Sequence, residues 1–221
     1  IIIPVLLTSA MAFLTVFVLN TEDVVLDSSH AAVNPLRGIG DCLKIPELSL
    51  ALFSMFLFSL TDAASAFMAS MTSSYGLMAS YFLSSNAVIG VLVRLFLGKV
   101  LDRYPRRRLS VPIIAGMSLM LLFASISPSR GSLMLLGVVF GVGMGFGFPL
   151  HLALVSDNAP LRLQPQAIAL TWFLVAFDFA LVPLTTSYIS GFTDPVTGFR
   201  AVVVFILAGA AYEAYLWRKL A

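Results

Sequence analysis

Seven apolar stretches, each near 20 residues long, fill most of this 221-residue chain: 1–19, 48–71, 76–97, 109–126, 133–155, 167–189 and 199–217. About 20 apolar residues in a helix span the hydrocarbon core of a bilayer. In lipid every backbone N–H and C=O must be bonded within the protein, so only helices or a closed barrel can cross. No strand-length alternation of apolar and polar residues occurs, which leaves helices. The expected fold class is therefore all-α and polytopic. Charge agrees, because only 11 % of the residues are Asp, Glu, Lys or Arg, against about 25 % in soluble domains.

Other classes lose their footing on the same sequence. A net charge of +2 is too small to point to nucleic acid. Cys42 is the single cysteine, which rules out an internal disulfide and a cysteine metal cluster. There is no phosphate-binding loop, metal-ligand cluster or nucleophile–base pair, so neither an enzyme nor an ATP-driven pump is expected, and no cofactor. The glycine-rich run from Gly141 to Gly147 follows no strand and lies inside an apolar stretch, so it is not a dinucleotide loop. Gly137, Gly141 and Gly145 are instead spaced by four, the pattern that lets two membrane helices approach closely. Such a helix is expected to bend or slide.

Residues 1–19 read as one membrane helix, 20–47 as a solvated linker carrying Pro35, Arg37, Lys44 and Pro46, and 48–221 as a six-helix bundle. The chain opens on Ile1-Ile2-Ile3 with no charged leader, and reads as a fragment rather than as a signal peptide. Loop Lys and Arg fall into two sets. Arg37, Lys44, Lys99, Arg103, Arg106, Arg107, Arg108, Arg162, Arg218 and Lys219 share one side; Arg130 and Arg200 share the other. The positive-inside rule places the first set in the cytoplasm. Trp217 beside Arg218 and Lys219 reads as an interfacial anchor, and Glu213 as a carboxylate snorkelling at the lipid edge.

The densest charge lies in Gly98–Arg108, GKVLDRYPRRR. Two membrane families compete for it. Asp102-Arg103-Tyr104 matches the DRY triplet of a seven-helix rhodopsin-like receptor. However, no cysteine stands near Gly76, the sixth stretch has no Cys-Trp-x-Pro, and the seventh no Asn-Pro-x-x-Tyr. The longer match is to a transporter. Arg94, Gly98 and Asp102 are spaced i, i+4, i+8 on one helix face, Pro105 breaks the chain, and Arg106 and Arg107 follow. Gly98, Asp102, Arg103, Arg106 and Arg107 resemble the major facilitator superfamily signature G-x-x-x-D-R-x-G-R-R/K, with Pro105 where the family usually carries glycine.

That resemblance implies the sixth span, the central loop and the C-terminal half of a twelve-span secondary transporter, with an N-terminal half as partner. It implies alternating access of a small solute across the cytoplasmic membrane, and the loop resembles those of efflux permeases, which favours export over uptake; coupling to protons is expected through Asp62. In the loop, Gly98 would allow close helix approach, Asp102 would meet a helix N-terminus, and the arginines would hold the cytoplasmic surface and anionic lipid.

Polar residues inside the spans mark a candidate substrate or proton pathway. Asp62 sits on a stripe with Ser54, Thr61, Ser65 and Thr72, in the helix that the resemblance places on the central cavity. A carboxyl at membrane depth costs about 2.5–3.5 kcal/mol and should face a cavity or a partner. It reads either as a proton or substrate site or as an interface hydrogen bond. Asp178, five residues before Pro183, reads as a polar hinge or a packing group; His151, after Pro149, as a titrating or a packing residue. Asn86, flanked by Ser84 and Ser85, is expected to point into the cavity.

Overall fold

The computed structural model describes residues 35–101 and 104–220. Seven α-helices run through them, and no strand occurs among these residues. They are α1 (Pro35–Lys44), α2 (Pro46–Met71), α3 (Ser80–Leu101), α4 (Arg106–Ile126), α5 (Arg130–Asn158), α6 (Gln164–Ser190) and α7 (Pro195–Leu220). Five of the long helices carry stretches apolar and long enough to cross a membrane, and α3 contributes a shorter apolar stretch, Ser80–Phe96. The helix expected over residues 1–19 lies outside the described residues. The linker expected over 20–47 contains α1 within its described part, and Cys42 on that helix is fully buried. Burial, with the nearby Asp41 carboxylate second, pushes the Cys42 thiol up from its ordinary pKa.

Local chemistry sets the helix ends. Pro46 and Glu47 open α2, where a missing N–H is no loss and a negative charge suits the dipole. Ser129 begins α5 with a reciprocal cap: its Oγ accepts from the Ser132 N–H at 3.1 Å, and the Ser129 N–H donates to Ser132 Oγ at 2.9 Å. Asp194 begins α7, accepting from the Val196 and Thr197 N–H groups at 2.9 and 3.0 Å and from the Thr197 hydroxyl. The bonds from Thr197 hold its carboxyl below the usual range. From the next turn Arg200 reaches the end of α4, donating to the Ser125 carbonyl at 2.6 Å and to Ser125 Oγ at 3.2 Å.

Helix α2 occupies the centre. Of its most apolar stretch 72 % is buried, against 22 % for the segment Leu161–Ser190 that contains α6. It packs on α4, α5, α6 and α7, and Leu48, Met55, Leu57, Phe58 and Met68 are its large fully buried side chains. The closest pairing is α3 on α5. The spaced glycines explain it. A Cβ on Gly137 would lie 2.5 Å from the Phe82 carbonyl oxygen, one on Gly141 2.6 Å from Ile89 Cβ, and one on Gly145 2.6 Å from Val93 Cγ1. Two further glycines serve other neighbours: Gly143 admits Met117 of α4 and Gly147 admits Phe58 of α2. The glycine run is a packed crossing point, and α5 stays one continuous helix through Pro149.

Candidate functional site

At the end of the bundle where α4 begins, Arg106 forms an ion pair with Asp157, and Arg107 Nη2 donates to Asn158 Oδ1 at 2.8 Å. Asp157 and Asn158 are the last residues of α5. Three arginines in the first turn of α4, Arg106 to Arg108, oppose their own helix dipole, and the negative C-terminal end of α5 offsets this. Asn158 is held by its own Nδ2, which donates to the Leu154 carbonyl at 2.7 Å. Arg107 also lies over the Trp217 ring, 5.0 Å from its centroid, so it touches both α5 and α7. Tyr104, Arg106, Arg107 and Asp157 line a cavity of about 420 Å³ at this end. Asp102 and Arg103 lie outside the described residues, and Gly98 belongs to α3. Arg94 is exposed on α3.

Below this layer, Glu213 corrects the expectation of a snorkelling carboxylate. It is completely buried, with Oε1 accepting from Ser110 Oγ and from the Trp217 indole N–H, both at 3.0 Å. Ser54 lies within reach of the same carboxyl, yet Ser54 Oγ and Glu213 Oε2 are each left without a hydrogen-bond partner. Trp217, expected as a lipid-interface anchor, is buried as well, because its N–H is committed to Glu213 and its face to Arg107. Nothing in the sequence signalled this cluster beyond a Glu-x-x-x-Trp spacing that puts the two side chains on one face of α7.

The remaining intramembrane polar residues separate by environment. Asp178 is fully buried, and its Oδ2 accepts from Ser59 of α2 while Oδ1 has no partner. Helix α6 runs unbroken past Pro183. His151 is fully buried and stacked on Phe58 at 4.6 Å. Its Nδ1 donates to the Gly147 carbonyl at 2.7 Å, and its Nε2 has no partner. Asn86 is half-buried at the α3–α5 crossing, where its backbone faces Gly137 and Gly141. Asp62 differs from the sealed Asp178 and His151, since it remains partly exposed in a helix that is mostly shut. Ser65 donates to the Asp62 backbone carbonyl at 2.7 Å and is the side chain interacting with its carboxyl. Thr61 turns away, to the Leu57 carbonyl at 2.8 Å and Ser118 Oγ at 3.3 Å.

The sequence matches the family model of the Major Facilitator Superfamily over residues 1–183 and again over 48–220. The chain belongs to that superfamily. No curated protein and no solved structure matches it significantly. Major facilitators are secondary transporters that move small solutes through a helical membrane bundle, and the all-helical architecture with five membrane-length helices accords with that. The membership sets the receptor reading aside, since Asp102-Arg103-Tyr104 falls inside the transporter match.

Proposed function

We propose that this major facilitator chain exports a small solute in exchange for protons across the cytoplasmic membrane, with Asp62 as the proton-carrying group. One observation carries the assignment: Asp178 is fully buried and tied to a serine of another helix, as is Glu213, whereas Asp62 keeps an open side. A carboxyl that trades protons during alternating access must reach water in at least one state, and a sealed one does not. Residues 48–221 act as the C-terminal bundle, completed by an N-terminal partner bundle. The arginine-rich end faces the cytoplasm by the positive-inside rule. Proteoliposomes holding the full transporter and a trapped pH dye test the coupling. A panel of small solutes should include at least one whose addition moves protons. Solute movement without proton movement would rule out the proton coupling.

Arg106, Arg107 and their α5 partners act here as a cytoplasmic latch, closed when α4 and α5 are held together and released when these two helices shift within the bundle. Both side chains of the Arg106–Asp157 pair are substantially exposed, at 36 % and 55 %. Exposed pairs contribute only about 0–1 kcal/mol to stability. Asp157→Arg should therefore leave abundance near normal but lower transport several-fold, and the swap Arg106→Asp/Asp157→Arg should recover part of it. Unchanged transport in the single variant would reduce the pair to a passive surface contact.

A further inference from the structure

A second cavity lies at the same end of the bundle, away from the loop arginines. It is a groove of about 540 Å³ where the end of α1 and the start of α2 meet the last turns of α7. Its walls are apolar, with Phe53 from α2 and Tyr212 and Leu216 from α7; Phe53 meets Tyr212 edge-on at 6.3 Å. Its rim carries Lys44 and Lys219. Ser49 lines the wall beside them. The N-cap of α2 is Ile45, which offers no side-chain cap. The acidic neighbours are Glu47, in the first turn of α2, and Asp41, which Lys44 already holds at 2.9 Å. A lysine ammonium has three donors, so two remain free of that pair. Arg218 adds positive charge beside Lys219.

We infer that this groove is a binding site for one anionic phospholipid, its phosphate between Lys44 and Lys219 and the upper part of an acyl chain on Phe53, Tyr212 and Leu216. An apolar groove alone would accept any lipid. The two ammonium groups select a negative headgroup. Basic pockets between membrane helices on the cytoplasmic side are where such headgroups bind, and each lysine near the surface is worth about fivefold in affinity. The occupied site would tie α1, α2 and α7 together, so the lipid acts as a strut between the linker helix and the last helix.

Native mass spectrometry of the full transporter tests this, titrating phosphatidylglycerol against phosphatidylcholine. The unmodified protein should hold one phosphatidylglycerol in preference to phosphatidylcholine. Lys44→Gln/Lys219→Gln should weaken phosphatidylglycerol roughly 20- to 30-fold and leave phosphatidylcholine unchanged, two lysines at about fivefold each. Lys44→Arg/Lys219→Arg keeps both charges and should keep most of the binding, which separates a lost site from a damaged fold. Arg130→Gln, an exposed cation at the opposite end of the bundle, should have no effect. Three results would each overturn the site: equal retention of both lipids, unaltered phosphatidylglycerol binding in the double glutamine variant, or loss of binding in the Arg130→Gln variant.

Discussion

Gly137→Ala is expected to destabilise the bundle by about 1–3 kcal/mol, the range for forcing extra atoms into a packed core. The same substitution at Gly116 should instead stabilise it by about 0.5–1 kcal/mol, the usual gain of alanine over glycine inside a helix. The contrast comes from what each new methyl would meet. At Gly137 it would lie 2.5 Å from the Phe82 carbonyl oxygen and 3.0 Å from the Asn86 nitrogen. Both are backbone atoms of α3 and cannot rotate away, so the two helices must separate. At Gly116 nothing lies within 4 Å. Membrane helices gain little from hydrophobic exclusion, since lipid tails are as apolar as leucine, and their association rests on close packing. A gap opened at Gly137 would thus also weaken the contacts at Gly141 and Gly145. Gly137→Leu should leave little folded protein. Thermal midpoints of the purified variants, read by the loss of the monodisperse peak, check the ordering. A Gly137→Ala protein as stable as Gly116→Ala would mean that the helices slide freely at this crossing.

That crossing was legible in the sequence because a spacing of four is itself the geometry of one helix face. The same holds for the long helices, where the length of each apolar run sets the length of the element. Pairings between distant residues were not legible. Ser59 and Asp178 meet across 119 positions, and Ser110 and Glu213 across 103; periodicity names a face and never its partner. Ser54 shows the limit within one helix. It lies eight residues before Asp62, roughly 80° around the helix at 3.6 residues per turn. It therefore turns toward Glu213 of α7 while Asp62 keeps an open side. Glu213 was misread for a related reason. Its place near a helix end fits snorkelling, and only the arrival of Ser110 and the folding back of Trp217 make it a core group. In the loop, Arg106 and Arg107 stood out by charge, but their partners Asp157 and Asn158 looked like an ordinary helix end.

Asp62→Asn should abolish transport driven by a pH gradient and leave exchange of solute without a gradient near normal. Asparagine keeps the shape and polarity of the side chain but neither takes up nor releases a proton, so the site is locked in one uncharged form. A carrier locked that way can still rock with solute bound, but no proton returns through it. Two other roles give different patterns. If Asp62 only packs the helix, asparagine preserves both activities, and Asp62→Leu lowers the amount of folded protein. If Asp62 holds the solute directly, asparagine weakens both activities together through affinity. The structure favours separable outcomes because the surroundings of Asp62 are sparse. Its backbone carbonyl takes the Ser65 hydroxyl at 2.7 Å, and Thr61 and Ser54 are engaged elsewhere or turned away. Removing the charge should therefore leave the neighbouring hydrogen bonds intact, with a stability change within about 1 kcal/mol, typical of a substitution outside the packed core. The corresponding change at Asp178 would disturb its bond from Ser59 in a sealed interface and reduce folding as well as transport. Gradient-driven uptake and counterflow, measured in the same proteoliposomes, separate the three roles. Intact gradient-driven transport in the Asp62→Asn protein would remove Asp62 from the proton path.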